Sequence, residues 1–583
     1  MHTIKINVTT RQIVESLLKV VTIRGKPLVD LNNFQVLLAP YFNALKTCGL
    51  QITSRNIHGY IKATAAVIRK KISAELKDEM FNIMVDIATK NKRSILGVNT
   101  SCVINDQTVI RTISMEEITH RHTSENIVDD IIKLLEEGFG LAPDQVFSFI
   151  ADNAFNMSKA GRLLDEAADD DTSEGVETNV PSQEDDEDEP RMLTEDEFED
   201  AILNMLTDCQ YYADLISNVA EKYAARNKDI HIKSTNTIGC ASHSLHLAVE
   251  KGIKSTATVK NCITAARDLV KQLRTPTILT RIRTETSHKL PQIDVPTRWN
   301  SKYIMLKSIW ELKPFVQQLA EEDAKYGFYH WDQLRSIIDV LVIAYVPSIK
   351  LQAVKCTLTD MWALWNMLQI QLRRNTTPLA KNILKCLDER EHVIKNPSVF
   401  AAIFLDPRYK SILNQGEQQV ALCELIALHS KLQKKKPNDQ QNDREMDELE
   451  VLLMAADLDA DEGDENQEMD PSASDSPIQD EIQRFKKVRR IDREVEILAY
   501  WKNNKGKFPL LYELAKVLFA VPNGQTSVER GFSSLDFIYD RRRCNLSPDI
   551  LNDILIIRLN SSLLEELDDV DWDEILAKQI PNE

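Results

Sequence analysis

The chain has 583 residues, of which 43% are hydrophobic and 6% aromatic, and its formal net charge is −18. This length allows three or four domains at roughly 100–200 residues each, and the apolar content excludes a chain that is disordered throughout. No stretch approaches about 18 uninterrupted apolar residues, which argues against a transmembrane helix and a membrane partner. The N-terminal sequence lacks the pattern of a signal peptide, and nine scattered cysteines without a CxxC pair are typical of reduced thiols in the cytosol or nucleus.

Two acidic segments account for the negative charge. Residues 165–200 hold 18 Asp and Glu against one Arg, and residues 438–480 hold 16 against one Arg. Without them the rest of the chain carries a net charge of +14. Charge repulsion and the lack of apolar residues predict disordered linkers over 166–197 and 438–480. They are either inert linkers or internal polyanions that compete with nucleic acid for basic surfaces.

The residues before the first acidic segment predict two structural units. Residues 1–80 show mainly helical periodicity. Residues 81–165 predict, in order, three strands, a helix, a strand and a helix, with a hairpin turn at Asn105–Asp106. The strands are FNIMVDIA, RSILGVNTSCVI, QTVIRTISM and DQVFSFIA, and the first helix is SENIVDDIIKLLEEGF. This order predicts the first part of an α/β core, a mixed sheet with helices on its faces.

Helical patterns dominate the rest of the chain. Residues 198–240 predict a continuation of the core, with a helix over 198–225. Residues 241–437 predict a helical insertion domain, and residues 481–575 a C-terminal part that completes the core and is broken by Gly and Pro at FAVPNGQTS.

Acidic residues follow two of the predicted strands. Asp86 follows the apolar run FNIMV, and Asp152 follows VFSFIA. Carboxylates at the ends of neighbouring strands lie at the edge of a sheet, where oxygen ligands can bind Mg²⁺. On the pattern alone the alternative is that they are turn residues, since Asp is common after strands.

Several motifs occur in an order that resembles a known family. The C-terminal residues that carry the likeness are Phe508, Pro509, Leu514, Ala515, Pro522, Ser527, Val528, Glu529, Arg530, Phe532, Ser533, Arg542 and Leu546. Upstream stand VDIATKNKRSILGVN, RHTSENI, FIADNAFNMSKA, CASHSLHLAV, VPTRWNS and LDPRYK. The chain resembles the hAT superfamily of cut-and-paste DNA transposases over roughly residues 20–165 and 230–570.

The resemblance implies an α/β ribonuclease H-like mixed sheet interrupted by a large all-α insertion domain, with helical N- and C-terminal parts. It also implies a catalytic and metal-binding triad of Asp86, Asp152 and Glu529 that holds Mg²⁺, or Mn²⁺. Such a site cleaves and transfers DNA strands without a covalent protein intermediate. From its position alone, Glu529 could instead be a first-turn residue that complements the helix dipole.

The resemblance implies DNA-binding roles for four further residues. Trp299 would stack on a base flipped out of the duplex, and Arg298 would meet a phosphate. The alternative for Trp299 is a buried tryptophan at a helix start. Cys240 and His243 would be structural or adjacent to DNA. No second cysteine pair follows them, which argues against zinc.

The chain departs from the family in its N-terminal part. Many relatives begin with a zinc-binding BED finger, whereas residues 1–80 hold a single cysteine, Cys48. The resemblance implies that DNA and a second copy of the chain are partners, in the nucleus. Two functions remain open: a metal-dependent DNA transposase, or a domesticated, catalytically silent dimeric regulator that binds DNA or protein. The basic cluster at 486–490 is suited to nuclear import or phosphate contact.

Overall fold

The computed structural model describes residues 9–26, 57–90, 92–151, 160, 164, 236–295, 299–353, 355–434, 477–539 and 546–564. The predicted linker 166–197, the predicted helix over 198–225 and nearly all of the predicted linker 438–480 lie outside these residues.

A mixed five-stranded sheet forms one end of the molecule. Its spatial order is β3-β2-β1-β4-β5. The first three strands pair antiparallel, while β4 and β5 run parallel to β1. The strands are β1 (Phe81–Lys90), β2 (Arg93–Ile104), β3 (Gln107–Ile118), β4 (Val146–Ala151) and β5 (Asn236–Gly239). The predicted mixed sheet is therefore confirmed, and β5 adds a strand that the sequence did not indicate.

The β2–β3 hairpin turns where the sequence predicts. Asn105 and Asp106 both have left-handed backbones, with φ of 52° and 63°. Two consecutive residues in this conformation form the turn whose twist matches that of the flanking strands, and Asn and Asp tolerate it well.

Helices from both ends of the chain cover the sheet. The N-terminal helices are α1 (Thr10–Thr22), α2 (Ile57–Leu76) and α3 (Ser124–Lys133), the last continuing as a π-helical turn over Leu134–Phe139. The C-terminal helices are α14 (Pro477–Lys486), α15 (Ile497–Asn504), α16 (Pro509–Phe519), α17 (Thr526–Ile538) and α18 (Pro548–Leu559). Because α14 begins at Pro477, the last four residues of the predicted linker 438–480 are helical and the boundary was wrong there.

Helix α18 protects the outer edge of the sheet. Strand β3 would otherwise expose unpaired backbone groups. The Asn552 side chain accepts a hydrogen bond from the Met115 amide, and the Asn560 side chain both accepts from and donates to the Thr112 backbone. The C-terminal helix α18 is therefore part of the same packed unit as the sheet.

The residues between β5 and α14 form the predicted helical domain. Its helices are α4 (Ala241–Lys254), α5 (Ala257–Leu273), α6 (Pro276–Glu285), α7 (Trp299–Glu311), α8 (Lys313–Glu322), α9 (Trp331–Leu351), α10 (Leu358–Arg373), α11 (Pro378–Asp388), α12 (Pro397–Phe404) and α13 (Gln415–Lys434). Their buried side chains are continuous with those of the sheet. Among the described helices, none is long and apolar enough to cross a membrane.

Candidate functional site

The candidate site lies where β1, β4 and β5 approach their carboxyl ends. Met84 of β1 pairs with Ile150 of β4, and Ala151 of β4 pairs with Gly239 of β5. The amide of Cys240 donates to the carbonyl of Ala151 over 3.1 Å, which ties the start of α4 to the end of β4. Strand β4 thus ends and helix α4 begins at one edge of the sheet, which we call the site edge.

Asp86 lies on β1 near this edge. It is half-buried and follows Met84 by two residues, so both side chains leave the same face of the sheet. One carboxylate oxygen accepts a hydrogen bond from the amide of Ile87 over 2.9 Å. Across the ladder, Asp86 pairs with Gly97 of β2, which in turn pairs with Met115 of β3.

Helix α17 lies directly on this row of residues. The Ser527 hydroxyl contacts the Met84 sulfur at 3.0 Å. A methyl group placed on Gly97 would lie 2.5 Å from Cγ1 of Val528, and one placed on Gly531 would overlap Met115. The two glycines let the helix approach the strands closely, and the first turn of α17 rests beside Asp86.

Glu529 belongs to that first turn. It is exposed, and its amide donates to the carbonyl of Gln525 over 3.1 Å. Val528, the residue before Glu529, packs on Gly97, which is the ladder partner of Asp86, so the turn that carries Glu529 lies on the strand next to Asp86. Asp152 follows Ala151 in the sequence but lies outside the described residues, so the predicted triad cannot be assembled in full. Within the described part, no group of three or more His, Cys, Asp and Glu side chains could hold a metal ion.

Cys240 has a structural environment. Its side chain is 1% exposed, and burial raises its pKa to about 11. A methyl group on Gly524 would lie 2.7 Å from its sulfur, so the turn before α17 rests on this thiol. The carbonyl of Asn523 also accepts a hydrogen bond from the amide of Ala241 over 3.0 Å. Cys240 therefore links the start of α4 to the turn that precedes Glu529.

His243 lies one turn further along α4 and is half-buried. Its ring centroid is 6.4 Å from that of His246, whose pKa is lowered mainly by burial. A neutral imidazole is the form expected of His246 at neutral pH.

Trp299 is a core residue in this arrangement. Its side chain is 2% exposed, and its ring meets that of Tyr345 edge-on at a centroid distance of 6.5 Å. The base-stacking interpretation needs an open ring face, which this packing does not offer. The alternative of a buried tryptophan at a helix start describes the observed position, since α7 begins at Trp299. Arg298 lies outside the described residues, and its DNA contact stays a prediction.

Sequence reasoning missed the residues that hold the site edge together. Gly97 and Gly524 are two of the positions where another element approaches too closely for a side chain. A lone glycine within the β-branched run of β2 was a usable signal, because it marks a close approach of another element. For Gly524 the PNG sequence indicated only a turn.

Replacing Gly97 tests how α17 is seated. We expect Gly97→Ala to destabilise the fold by about 1–3 kcal/mol, because the added methyl group must displace buried Val528. Gly506→Ala is the matched control, since nothing lies within 4 Å of the position its methyl group would take. Urea denaturation of both variants measures the difference. Equal midpoints would show that α17 does not rest on Gly97.

Comparisons with known proteins agree with this architecture. Residues 476–561 match the hAT family C-terminal dimerisation region. Residues 238–338 match the ZBED1 RNase-like helical domain. The chain is thus similar to the hAT family in its C-terminal part. The matched region contains α14–α18 in full and therefore includes Glu529, and the match to a dimerisation region supports self-association.

Three relatives illustrate the range of similar proteins. The chain is 23% identical over 211 residues to zinc finger BED domain-containing protein 4 of Homo sapiens, a match that covers 33% of this chain and 18% of the relative. It is 22% identical over 368 residues to the putative AC transposase of Zea mays, a match that covers 54% of this chain and 43% of the relative. It is 20% identical over 309 residues to the putative transcriptional regulator tpeD of Talaromyces stipitatus, a match that covers 50% of this chain and 34% of the relative. The matched part spans less than half the length of each relative.

Proposed function

We propose that this chain is a hAT transposase-like DNA-binding protein that cleaves and transfers DNA strands with Mg²⁺ or Mn²⁺ at Asp86, Asp152 and Glu529, on a ribonuclease H-like sheet. The observation that carries the proposal is that α17 packs on the row of paired strand residues that contains Asp86 and Gly97. This contact packs the helix that carries Glu529 against the ladder partner of Asp86, although the two acids are 443 positions apart in the sequence.

The third carboxylate follows from the strand register. Met84 pairs with Ile150 in the parallel β1–β4 ladder. Asp152 follows Ala151, the last residue of β4, and parallel neighbouring strands lie about 4.8 Å apart. Two carboxylates at that spacing repel each other, and a divalent cation between them relieves the repulsion.

The donor set suits a hard cation. Asp86 is half-buried on a strand, and Glu529 is exposed on a helix. Together they offer carboxylate oxygens as ligands, one from the sheet and one from the solvent-exposed first turn of α17. Cys240, the nearby sulfur, is buried under Gly524 with a raised pKa, which makes it unsuitable as a thiolate ligand. We propose Mg²⁺ or Mn²⁺ at the carboxylates rather than zinc at Cys240 and His243.

The residues then divide the work as follows. Bound at the carboxylates, the cations would supply Lewis-acid activation of water or a DNA 3′-hydroxyl and charge stabilisation at the leaving oxygen. Asp86 fixes one ligand position on the sheet. The turn at Asn523 and Gly524 holds the first turn of α17, so that Glu529 approaches from the other side. Exposure of Glu529 leaves room for a substrate phosphate beside it.

The proposed partners are DNA and a second copy of the chain, in the nucleus. The dimerisation region and the basic balance of the chain outside its acidic segments support them. A second candidate is a catalytically silent dimeric regulator. The packing of Trp299 in the core favours it, because the predicted base contact is then unused, and one relative is named as a putative transcriptional regulator.

A cleavage assay tests the proposal. The full chain is incubated with labelled DNA carrying a nick or a single-stranded flank, with Mg²⁺, Mn²⁺, Ca²⁺ or a chelator. We expect strand cleavage with Mg²⁺ and Mn²⁺ and none with the chelator. DNA binding without cleavage under any of these conditions would favour the silent regulator instead.

A further inference from the structure

A concentrated basic surface lies in the C-terminal part, away from the site edge. Residues 484–507 hold nine Lys and Arg against three Asp and Glu, although the whole chain is acidic. We call this surface the basic face. Its residues are Arg484, Lys486, Lys487, Arg489, Arg490, Arg493, Lys502, Lys505 and Lys507, all exposed except the half-buried Lys486.

Four of these charges have no acidic partner in the part of the chain that the structure describes. They are Lys487, Arg489, Arg490 and Arg493, in the loop between α14 and α15. The nearby acid Asp492 accepts instead from the amide of Glu494 over 2.9 Å. Exposed cations without internal partners repel one another, so an anionic ligand would stabilise this arrangement.

The loop is held in place at both of its ends. At its start, Lys410 donates to the carbonyls of Phe485 and Lys486, each over 2.7 Å. At its far end, Arg408 donates to the carbonyl of Val495 over 3.3 Å. Both cations belong to the LDPRYK sequence, and Arg408 is itself fixed by buried Asp406 at 2.7 Å.

An aromatic cluster packs beneath Arg484 and Lys507, two residues of the basic face. Phe485 stacks on Trp501 at 5.3 Å and meets Phe508 edge-on at 5.5 Å, and all three are fully buried. Arg484 and Lys507 both lie over the Phe508 ring, and the Arg484 guanidinium also donates to the Lys507 carbonyl. Arg484 of α14 and Lys507 of the loop after α15 are thereby held next to each other.

This surface is separate from the site edge. Lys502 pairs with Asp106 of the β2–β3 turn at 3.1 Å. Gly97, the ladder partner of Asp86, lies seven residues back along β2 from Ile104. That distance is roughly 23 Å at about 3.3 Å per residue. A ligand that reaches both places must be long.

We propose that the basic face is a second DNA-binding surface, which holds the phosphate backbone at a distance from the bond that is cut. The proposal rests on the DNA-binding part of the proposed function and not on its chemistry. Regularly spaced phosphates match cations that are spread over several elements, and the contacts need no base sequence. A nuclear-import receptor, in contrast, binds a basic segment as an extended peptide. Here the loop is fixed at both ends, and further cations of the basic face lie on α14 and α15.

Salt-dependent binding of the full chain tests this inference. The variant carries Lys487→Gln, Arg489→Gln, Arg490→Gln and Arg493→Gln, and the probe is a short labelled random-sequence duplex in chelator. Each phosphate contact contributes about 0.9 to the slope of log affinity against log salt. We expect the slope to fall by about 2–4 between about 50 and about 200 mM salt, with at least about tenfold weaker binding at the lower salt.

The control removes the same charge from the helical domain, through Lys260→Gln, Arg283→Gln, Lys289→Gln and Lys381→Gln, all at exposed positions. An equal loss in the control would overturn the proposal and assign the effect to net charge. An unchanged slope of log affinity against log salt in the loop variant would also overturn the proposal. If that variant lost binding to an import receptor instead, the segment would be an import signal. Thermal midpoints check folding, and the pair Lys487→Gln and Arg489→Gln alone should give about half the slope change.

The catalytic proposal fails separately. Asp86→Asn is expected to keep the wild-type slope, because Asp86 is not part of the basic face. If the wild-type chain binds DNA with the steep slope but never cleaves it, the basic face stands and the nuclease assignment fails. If the wild-type chain does not bind the duplex at low salt, both are overturned.

Discussion

Asp86→Asn and Glu529→Gln are each expected to remove metal-dependent DNA cleavage while leaving DNA binding intact. Each substitution would delete one charged ligand of the proposed site, where bound cations would stabilise transition-state charge by several kcal/mol. At about 1.36 kcal/mol per factor of ten, the rate should fall by roughly 10³-fold. Single-turnover cleavage with excess protein measures this rate, because it separates chemistry from binding and product release.

The matched control is Asp332→Asn. Asp332 is an exposed acid in the first turn of α9, as Glu529 is in the first turn of α17. If Glu529 only complemented a helix dipole, both substitutions would cost about 0.3–1 kcal/mol of stability and neither would change cleavage. A cleavage rate that survives in Glu529→Gln would therefore contradict the triad, whereas Asp332→Asn should leave the rate unchanged.

The sheet could be predicted because its strands carry local signals. Each of β1 to β4 is an apolar or β-branched run, and the turn between β2 and β3 is marked by Asn105–Asp106. Strand β5 spans only the four residues Asn236–Gly239, which is too short to show a period. Its place beside β4 comes from tertiary pairing, which local sequence does not encode.

The candidate site was only partly predictable, for a related reason. Asp86 was indicated by its position in an apolar strand, and Glu529 only by the family resemblance. The contact that relates them depends on an absent side chain at Gly97 and on a buried thiol at Cys240. Close approach of α17 to the sheet depends on which glycine meets which helix, and 430 residues of intervening chain separate Gly97 from Val528.

Trp299 shows the limit of motif reasoning most clearly. The letters PTRWNS are the same whether the indole faces solvent or the core. In the structure its 2% exposure and the edge-on contact with Tyr345 identify it as a core residue. The expected effect of its removal is therefore first an effect on stability.

Trp299→Ala should lower the free energy of unfolding by about 3–5 kcal/mol, because the truncation leaves a large cavity between α7 and α9. Trp299→Phe should recover part of this loss, since it keeps an aromatic ring in the same space. Trp310→Ala is the control on the same helix: Trp310 is only half-buried, so its removal should cost less. Denaturant midpoints of the three variants measure the order.

DNA binding then separates the two roles of Trp299, because loss of a core residue weakens binding to duplex and unpaired DNA equally, through the fraction of folded protein. If Trp299→Ala kept full stability and lost affinity for unpaired DNA alone, the ring would have to leave the core and stack on a base, at about 1–3 kcal/mol per base.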